Sequence, residues 1–136
     1  MLRVTSTAIC DSDLHMFDGL IPGTRKGDII GHEFMGIVED VGPKAAASGL
    51  SKGDRGVVPF TVTCGSCLWC ERQEYSLCDE SNRDAKTLAA MNVQASAGLF
   101  GHSHLSGGYD GGQAEYLRLP FADATHMRVP DGLSDE

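Results

Sequence analysis

Residues 64–78 read CGSCLWCERQEYSLC and place four cysteines in a C-x2-C-x2-C-x7-C pattern, at Cys64, Cys67, Cys70 and Cys78. Four thiolates this close in sequence can complete a tetrahedron around one zinc ion, which leaves no coordination position open for chemistry. The glycine at position 65 allows a tight turn that brings neighbouring sulfurs together. The pattern therefore predicts a structural zinc site in this loop.

Disulfide bonds or a redox C-x-x-C pair are the alternative use of these cysteines. Disulfides are typical of oxidising compartments and usually accompany an even number of cysteines behind a secretory signal. The sequence has five cysteines, and residues 1–9 lack the pattern of a signal peptide. No apolar run approaches the length of a membrane span. We therefore expect zinc rather than disulfides, a cytoplasmic location and no contact with a membrane.

Length and charge limit the possible functions. A chain of 136 residues is expected to form one domain. It carries 19 acidic and 11 basic residues, a formal net charge of -8, and the basic residues form no stripe. Because this balance repels phosphate backbones, a zinc-ribbon protein that binds nucleic acid is the disfavoured alternative.

The hydrophobic pattern predicts a mainly β protein with few helices. Gly and Pro punctuate short segments rich in β-branched residues. The segments predicted as strands are Arg3–Cys10, Gly36–Val41, Arg55–Val62 and Ala114–Leu119. The main helix candidate is Ala85–Ala97, for which a mobile loop is the equally favoured alternative.

The run from Cys10 to His15 combines a thiol, a hydroxyl and an imidazole. Asp11 or Ser12 can cap a short helical turn that ends near Gly19, and residues three apart on such a turn share a face. The Ser12 hydroxyl and the His15 imidazole could then pass a proton from one to the other. Alternatively, Ser12 only caps the turn and His15 is a polar surface residue.

A second candidate metal site combines Cys10 with His32 and Glu33. In a regular strand the side chains of His32 and Glu33 would point to opposite faces. Both can therefore approach one ion only if the backbone bends near Gly31. Cysteine, histidine and a carboxylate form the ligand set of a catalytic zinc, which keeps one position open. A core histidine beside a surface glutamate is the alternative.

Several motifs, taken in order, resemble the zinc-dependent medium-chain alcohol dehydrogenases. Gly31-His32-Glu33-x-x-Gly36 with Gly42 and Ala45 resembles their zinc signature, and the cysteine loop resembles their structural-zinc lobe, here about residues 62–80. The remaining matches are Cys10-x-Ser12-Asp13-x-His15, Gly53-Asp54-Arg55 and residues 111–116, GGQAEY. Residues 100–105 further resemble the branch of the glutathione-independent formaldehyde dehydrogenases.

The resemblance implies a role for each matching residue. Cys10 and His32 would bind the catalytic zinc, with Glu33 behind it as an occasional ligand. Asp13 would hold His32 through its second ring nitrogen. Ser12 would accept the alcohol proton and pass it toward His15 and solvent. The four clustered cysteines would hold the structural zinc.

The resemblance also implies a fold and a reaction. The expected fold is a GroES-like, partly open β-barrel spanning residues 1–136, in which hydride passes between a small alcohol or aldehyde and NAD. The nucleotide-binding Rossmann domain and an N-terminal strand pair of the family are expected to be absent. No residue of the chain is therefore assigned to the cofactor, the isolated chain is expected to be inactive, and an unpaired strand edge beside Arg3–Thr5 could support homo-oligomers. A stand-alone zinc-binding or oligomerising module is the alternative function.

Three further residues stand out against this pattern. Gly56 replaces a residue that is usually β-branched in the family, at a cost of about 1 kcal/mol in strand preference. His102 and His104 alternate along the chain, but no third ligand lies near them in sequence. A loop or substrate-cleft role is therefore expected for both, rather than metal binding.

Overall fold

Short strands and helices alternate along the chain in the computed structural model, which describes residues 1–91, 93–94 and 96–135. The strands are β1 (Leu2–Thr7), β2 (Phe34–Val38), β3 (Arg55–Val58), β4 (Thr61–Val62), β5 (Gly98–Leu99), β6 (Tyr116–Leu117) and β7 (Met127–Arg128). The helices are α1 (Asp11–Phe17), α2 (Pro43–Ala47), α3 (Leu68–Glu71), α4 (Ala85–Ala90) and α5 (Ala122–Thr125), with 3-10 turns at Tyr75–Leu77 and His104–Ser106.

Five strands form an open antiparallel sheet in the order β6-β1-β2-β3-β7, and β4 pairs with β5 in a second, two-stranded sheet. The register places Leu2 opposite both Val38 and Leu117, and Phe34 opposite Val58. Residues directly opposite one another share a face, so these five side chains form one apolar surface. The prediction of a mainly β, partly open fold with few short helices is confirmed.

The core lies on that apolar face of the large sheet. Phe100 is fully buried there, and its ring meets Phe34 edge-on with centroids 5.7 Å apart. Tyr109 packs on the other side of Phe100, and its hydroxyl donates to the Ser81 carbonyl at 2.6 Å. Burial of these aromatic rings stabilises the region by their large apolar area. Phe100 and Tyr109 also connect the large sheet to the loops that follow β5.

The strand predictions located the right segments but not their ends. The segment Arg55–Val62 forms two strands, because Pro59 has no N–H to donate to a ladder and the chain turns at Phe60. Strand β1 ends at Thr7, before Cys10, and β2 begins at Phe34 and ends at Val38. The Ala114–Leu119 segment contributes only the two residues of β6.

Helix was underestimated at α2, α3 and α5 and overestimated at α4. Residues 43–47 form α2, whose first residue is Pro43; proline is favoured there because its missing N–H would have no partner within the helix. Helix α4 ends at Ala90 instead of Ala97, and β5 begins at Gly98. The prediction for Asn92 and Ala95 falls outside the described residues.

The predicted unpaired edge at β1 is wrong. Strand β1 lies inside the sheet, between β2 and β6, and the Val4 N–H also donates to the Glu115 carbonyl at 2.9 Å. The edges of the large sheet are instead β6 and β7, each two residues long. Edges this short offer few unpaired backbone groups to a second copy of the chain.

The structure explains why position 56 is a glycine. A Cβ atom at this position of β3 would overlap the imidazole of His126, which follows α5. The Nε2 atom of His126 is buried there, and no residue in the described part of the chain forms a hydrogen bond with it. Burial lowers the pKa of His126, and Asp54 acts in the opposite direction. Gly56 and His126 therefore form one packing unit.

Candidate metal centres

The four clustered cysteines converge on a single point. Their sulfur atoms all lie within 4.8 Å of one another, and Cys64 Sγ is 3.9 Å from Cys70 Sγ. All four thiols are free. Cys67 precedes α3, Cys70 lies within it, and Cys78 follows the 3-10 turn Tyr75–Leu77. Two short helical turns thus bring together sulfurs that are up to fourteen residues apart in sequence.

Backbone donors surround the Cys64 sulfur. The N–H groups of Ser66 and Cys67 donate to it at 3.4 and 3.3 Å. Burial opposes ionisation of this thiol, but the backbone donors lower the pKa of Cys64 to about 7. Burial raises the pKa of Cys70 to about 12. A cation is therefore needed before all four groups can be thiolates together, and zinc supplies that charge when it binds.

A second group of possible ligands contains Cys10, Asp13 and His32, with one ligand atom from each within 4.8 Å of the others. Cys10 Sγ lies 3.1 Å from His32 Nε2. On the other side of the imidazole, Nδ1 lies 3.7 Å from Asp13 Oδ1. The ring is thus held between a thiol and a carboxylate.

Strand pairing places Cys10 beside His32. Thr7, the last residue of β1, is opposite Phe34, the first residue of β2, and the Ala8 N–H donates to the Glu33 carbonyl at 2.9 Å. The ladder therefore continues almost to both ligands. Gly31, which precedes His32, has φ +97°, a left-handed conformation that glycine adopts without steric cost.

Asp13 fixes the geometry of both neighbours. Its side chain is 3 % exposed, and Oδ2 accepts the Cys10 N–H at 2.9 Å at the start of α1. The cap residue of this helix is therefore Cys10, rather than Asp11 or Ser12. Asp13 Oδ1 and His32 Nδ1 are both buried, and neither has a hydrogen-bond partner among the described residues. Metal binding at Nε2 favours a proton on Nδ1, which the carboxylate can accept as a hydrogen bond, so these residues fit a zinc site.

A cavity of about 260 Å³ opens beside this group. Its wall consists of Cys10, Ser12, His32, Glu33, Phe60, Leu99 and His102. The cavity is large enough for a few non-hydrogen atoms of a ligand, and it joins potential metal ligands to one hydroxyl and two apolar side chains. A small polar substrate would meet thiol, imidazole and hydroxyl together.

Comparison with known proteins identifies the family. Residues 1–131 match the alcohol dehydrogenase GroES-like domain. The chain belongs to this family.

Relatives of this GroES-like domain bear the names of alcohol and formaldehyde dehydrogenases. An uncharacterized zinc-type alcohol dehydrogenase-like protein, AdhB of Bacillus subtilis, is 47% identical over 99% of this chain and 33% of its own length. The glutathione-independent formaldehyde dehydrogenase of Pseudomonas aeruginosa is 35% identical over 96% of the chain and 29% of its own. The solved alcohol dehydrogenase TADH from Thermus sp. ATN1 superposes with a TM-score of 0.81 at 36% identity, covering 98% of this chain and 33% of that one. The chain thus spans about a third of these relatives.

The predicted site residues of the GroES-like domain lie in different positions around the cavity. Ser12 lines it, whereas His15, one turn further along α1, is exposed to solvent and is not part of the wall. Glu33 lines the cavity, but its carboxylate is outside the group of ligand atoms within 4.8 Å of one another.

Sequence reasoning missed two residues of the site. Phe60 and Leu99 form the apolar wall, and no local pattern marks them. His102 was expected in a loop or a substrate cleft, and it lies in the cavity wall, half-buried, with a pKa that burial lowers and that nearby His32 lowers further. The other histidine of that pair, His104, lies away from the cavity and binds Asp28 at 3.1 Å.

The structure also bears on membrane contact. Among the described residues, every helix is too short to cross a bilayer.

Proposed function

We propose that the chain is the catalytic domain of a zinc-dependent oxidoreductase that transfers hydride between a small alcohol or aldehyde and NAD. Relatives about three times as long bear the names of alcohol and formaldehyde dehydrogenases, which supports this substrate class. The nucleotide site would lie in polypeptide outside these residues. The isolated chain would therefore have no NAD-dependent turnover.

One observation carries the proposal. The structure brings together the Cys10 thiol, which follows β1, the His32 imidazole, which precedes β2, and the buried Asp13 carboxylate of α1. The thiol and the imidazole lie in the wall of one cavity. A structural histidine would need neither a thiol on one ring nitrogen nor a buried acid facing the other. Thiol and imidazole are ligands of catalytic zinc sites, in which a further position stays open to substrate.

The residues around the cavity then have distinct tasks. Cys10 and His32 would hold zinc, which supplies Lewis-acid polarisation of the substrate oxygen when bound. Asp13 would orient His32, and Glu33 would be an occasional ligand. Ser12 would accept the hydroxyl proton inside the cavity. His15, exposed one turn away, would release that proton to solvent.

The cysteine quartet would have a structural task. With four thiolates, zinc in this loop keeps no open position and holds residues 64–78 in place. Phe121 packs against both the quartet and the core of the large sheet, so it connects the two parts of the domain. The free thiols also support a reducing, cytoplasmic location.

A chimeric enzyme tests the proposal. This chain would replace the matching third of the Thermus alcohol dehydrogenase, and NADH formation from primary alcohols would be followed in absorbance. We expect turnover by the chimera, its loss in Cys10→Ser, and a decrease of about 10²–10⁴-fold in Ser12→Ala. Ser51→Ala, an exposed serine far from the cavity whose backbone N–H binds Asp54, is the matched control and should be unchanged.

Two results would contradict the proposal. Full activity of the Cys10→Ser chimera would show that the zinc site is not at this cavity. Measurable NADH production by the purified chain alone would show that the residues described here include a working nucleotide site.

A further inference from the structure

We propose that His126 is a pH-dependent switch, which holds β7 against β3 while its imidazole is neutral and releases β7 when the ring takes up a proton. The switch lies outside both candidate metal centres and does not depend on the proposed function. It consists of the ring, the glycine of β3 against which the ring packs, and a polar cavity into which the ring can turn.

The site beside Gly56 accepts the ring only in its neutral form. Nε2 of His126 is buried against this glycine, and the described residues offer it no hydrogen-bond partner. Because an imidazolium carries a proton on both nitrogens, a charged ring would bury an N–H without an acceptor. Burial lowers the pKa of His126 for this reason. Protonation therefore favours any position in which the ring is hydrated or paired.

The charged groups on the two strands act on His126 in opposite directions. Asp54, which precedes β3, favours the imidazolium, whereas Arg128 of β7 disfavours it. These two side chains are themselves paired, since Arg128 Nη2 donates to Asp54 Oδ2 at 2.7 Å. Arg55 lies next to Gly56 in β3, so its side chain points to the opposite face of the strand. An imidazolium that turns toward Asp54 would compete with Arg128, and with it one contact of β7 would weaken.

A cavity of about 240 Å³ gives the charged ring a second position. His126 lines this cavity together with Asp123 of α5, whose carboxylate is bound to Lys44 at 2.9 Å. Residues 48–50, which form another part of the wall, carry no titratable side chain. The Asp123 carboxylate and water in the cavity can accept the N–H groups that have no acceptor beside Gly56.

The contact between His126 and β3 supports a weak strand pair. Strands β7 and β3 pair over only two residues each, and one further backbone bond runs from the Val129 N–H to the Arg55 carbonyl at 3.0 Å. A pair this short contributes little stability by itself. Loss of the His126 contact should therefore release β7 before the longer pairs of the sheet open.

Amide hydrogen exchange on the 136-residue chain tests the switch. The protection factor of the Val129 N–H, which corrects for the intrinsic effect of pH on exchange, would be measured at pH 7.5 and pH 5.5. We expect it to fall about tenfold, because a ring that is free to titrate near pH 6.5 only after release favours release by that factor one pH unit lower. The Val4 N–H, which donates to the Glu115 carbonyl from β1, should keep its protection within about twofold.

Two variants separate His126 from the other titrating groups. His126→Phe keeps a flat ring that cannot take up a proton, so the protection of Val129 should be the same at both pH values. His15→Gln removes an exposed imidazole far from β7 and should retain the fall. NMR of the ring nitrogens in ¹⁵N-histidine-labelled chain follows the protonation of His126 in the unaltered sequence, so the test does not depend on how the variants fold.

Three results would overturn the inference. The first is an equal fall in protection at Val4 and Val129, which would mean that the whole sheet opens. The second is a fall at Val129 that persists in His126→Phe. The third is protonation of the His126 ring at pH 5.5 with the protection of Val129 unchanged.

Discussion

Replacement of Asp13 by asparagine tests how the buried carboxylate prepares the zinc site. Asparagine keeps the shape and an oxygen that can accept the Cys10 N–H, so the start of α1 should be preserved. It removes the charge that lies 3.7 Å from His32 Nδ1. Loss of such an outer partner typically weakens metal binding 10–100-fold. We therefore expect zinc affinity at this centre to fall by about 1.4–2.8 kcal/mol.

The assay is competition for zinc with a chromophoric chelator, after the quartet has been filled. Asp11→Asn is the matched control, because it removes an exposed carboxylate from the same first turn without touching His32. It should change affinity by less than twofold. Equal affinities of Asp13→Asn and the unaltered chain would refute the orienting role of Asp13.

Three further changes test packing, the quartet and pH dependence. Gly56→Val should destabilise the fold by about 1–3 kcal/mol through overpacking against His126. His126→Ala in the same chain should recover part of this loss in urea unfolding, and strictly additive effects would contradict the contact. Cys78→Ser should remove one zinc per chain and make residues 64–78 the first site of limited proteolysis, whereas Ser76→Ala should do neither. Between pH 7 and pH 5.5 the free energy of unfolding should fall, because the lowered pKa of His126 lets the unfolded chain bind more protons than the native state. His126→Asn should reduce that slope, and an unchanged slope would assign the effect to other groups.

The sequence predicted most of the sheet because its signals are local. Val57 and Val58, for instance, lie in a β-branched run that reads as a strand without any tertiary information. The ends of the strands were predicted less accurately, because the end of a strand depends on the strand with which it pairs. For example, β6 extends only as far as it pairs with β1. Helix α2 was missed because Gly42-Pro43 is equally typical of a turn.

The two groups of candidate metal ligands could be predicted for a different reason. The quartet is a single short motif, and the pairing of Cys10 with His32 followed from ligand chemistry and family resemblance. The cavity wall could not be predicted in the same way. Leu99 and Phe60 are brought to the site by the β4–β5 pair, where Thr61 is opposite Leu99, and a contact between residues so far apart in sequence leaves no local signal. His126 against Gly56 is a similar long-range contact.

The ladder between β1 and β2 has a consequence for metal uptake. Since backbone hydrogen bonds hold the segments that carry Cys10 and His32 side by side, an arriving ion finds these two donors already assembled. Little chain entropy is lost when the ion binds, so more of the intrinsic bond strength appears as affinity. The quartet differs, because short helical turns carry its sulfurs, without a strand ladder to hold them. Removal of metal by a chelator should therefore loosen residues 64–78, while Cys10 and His32 remain side by side.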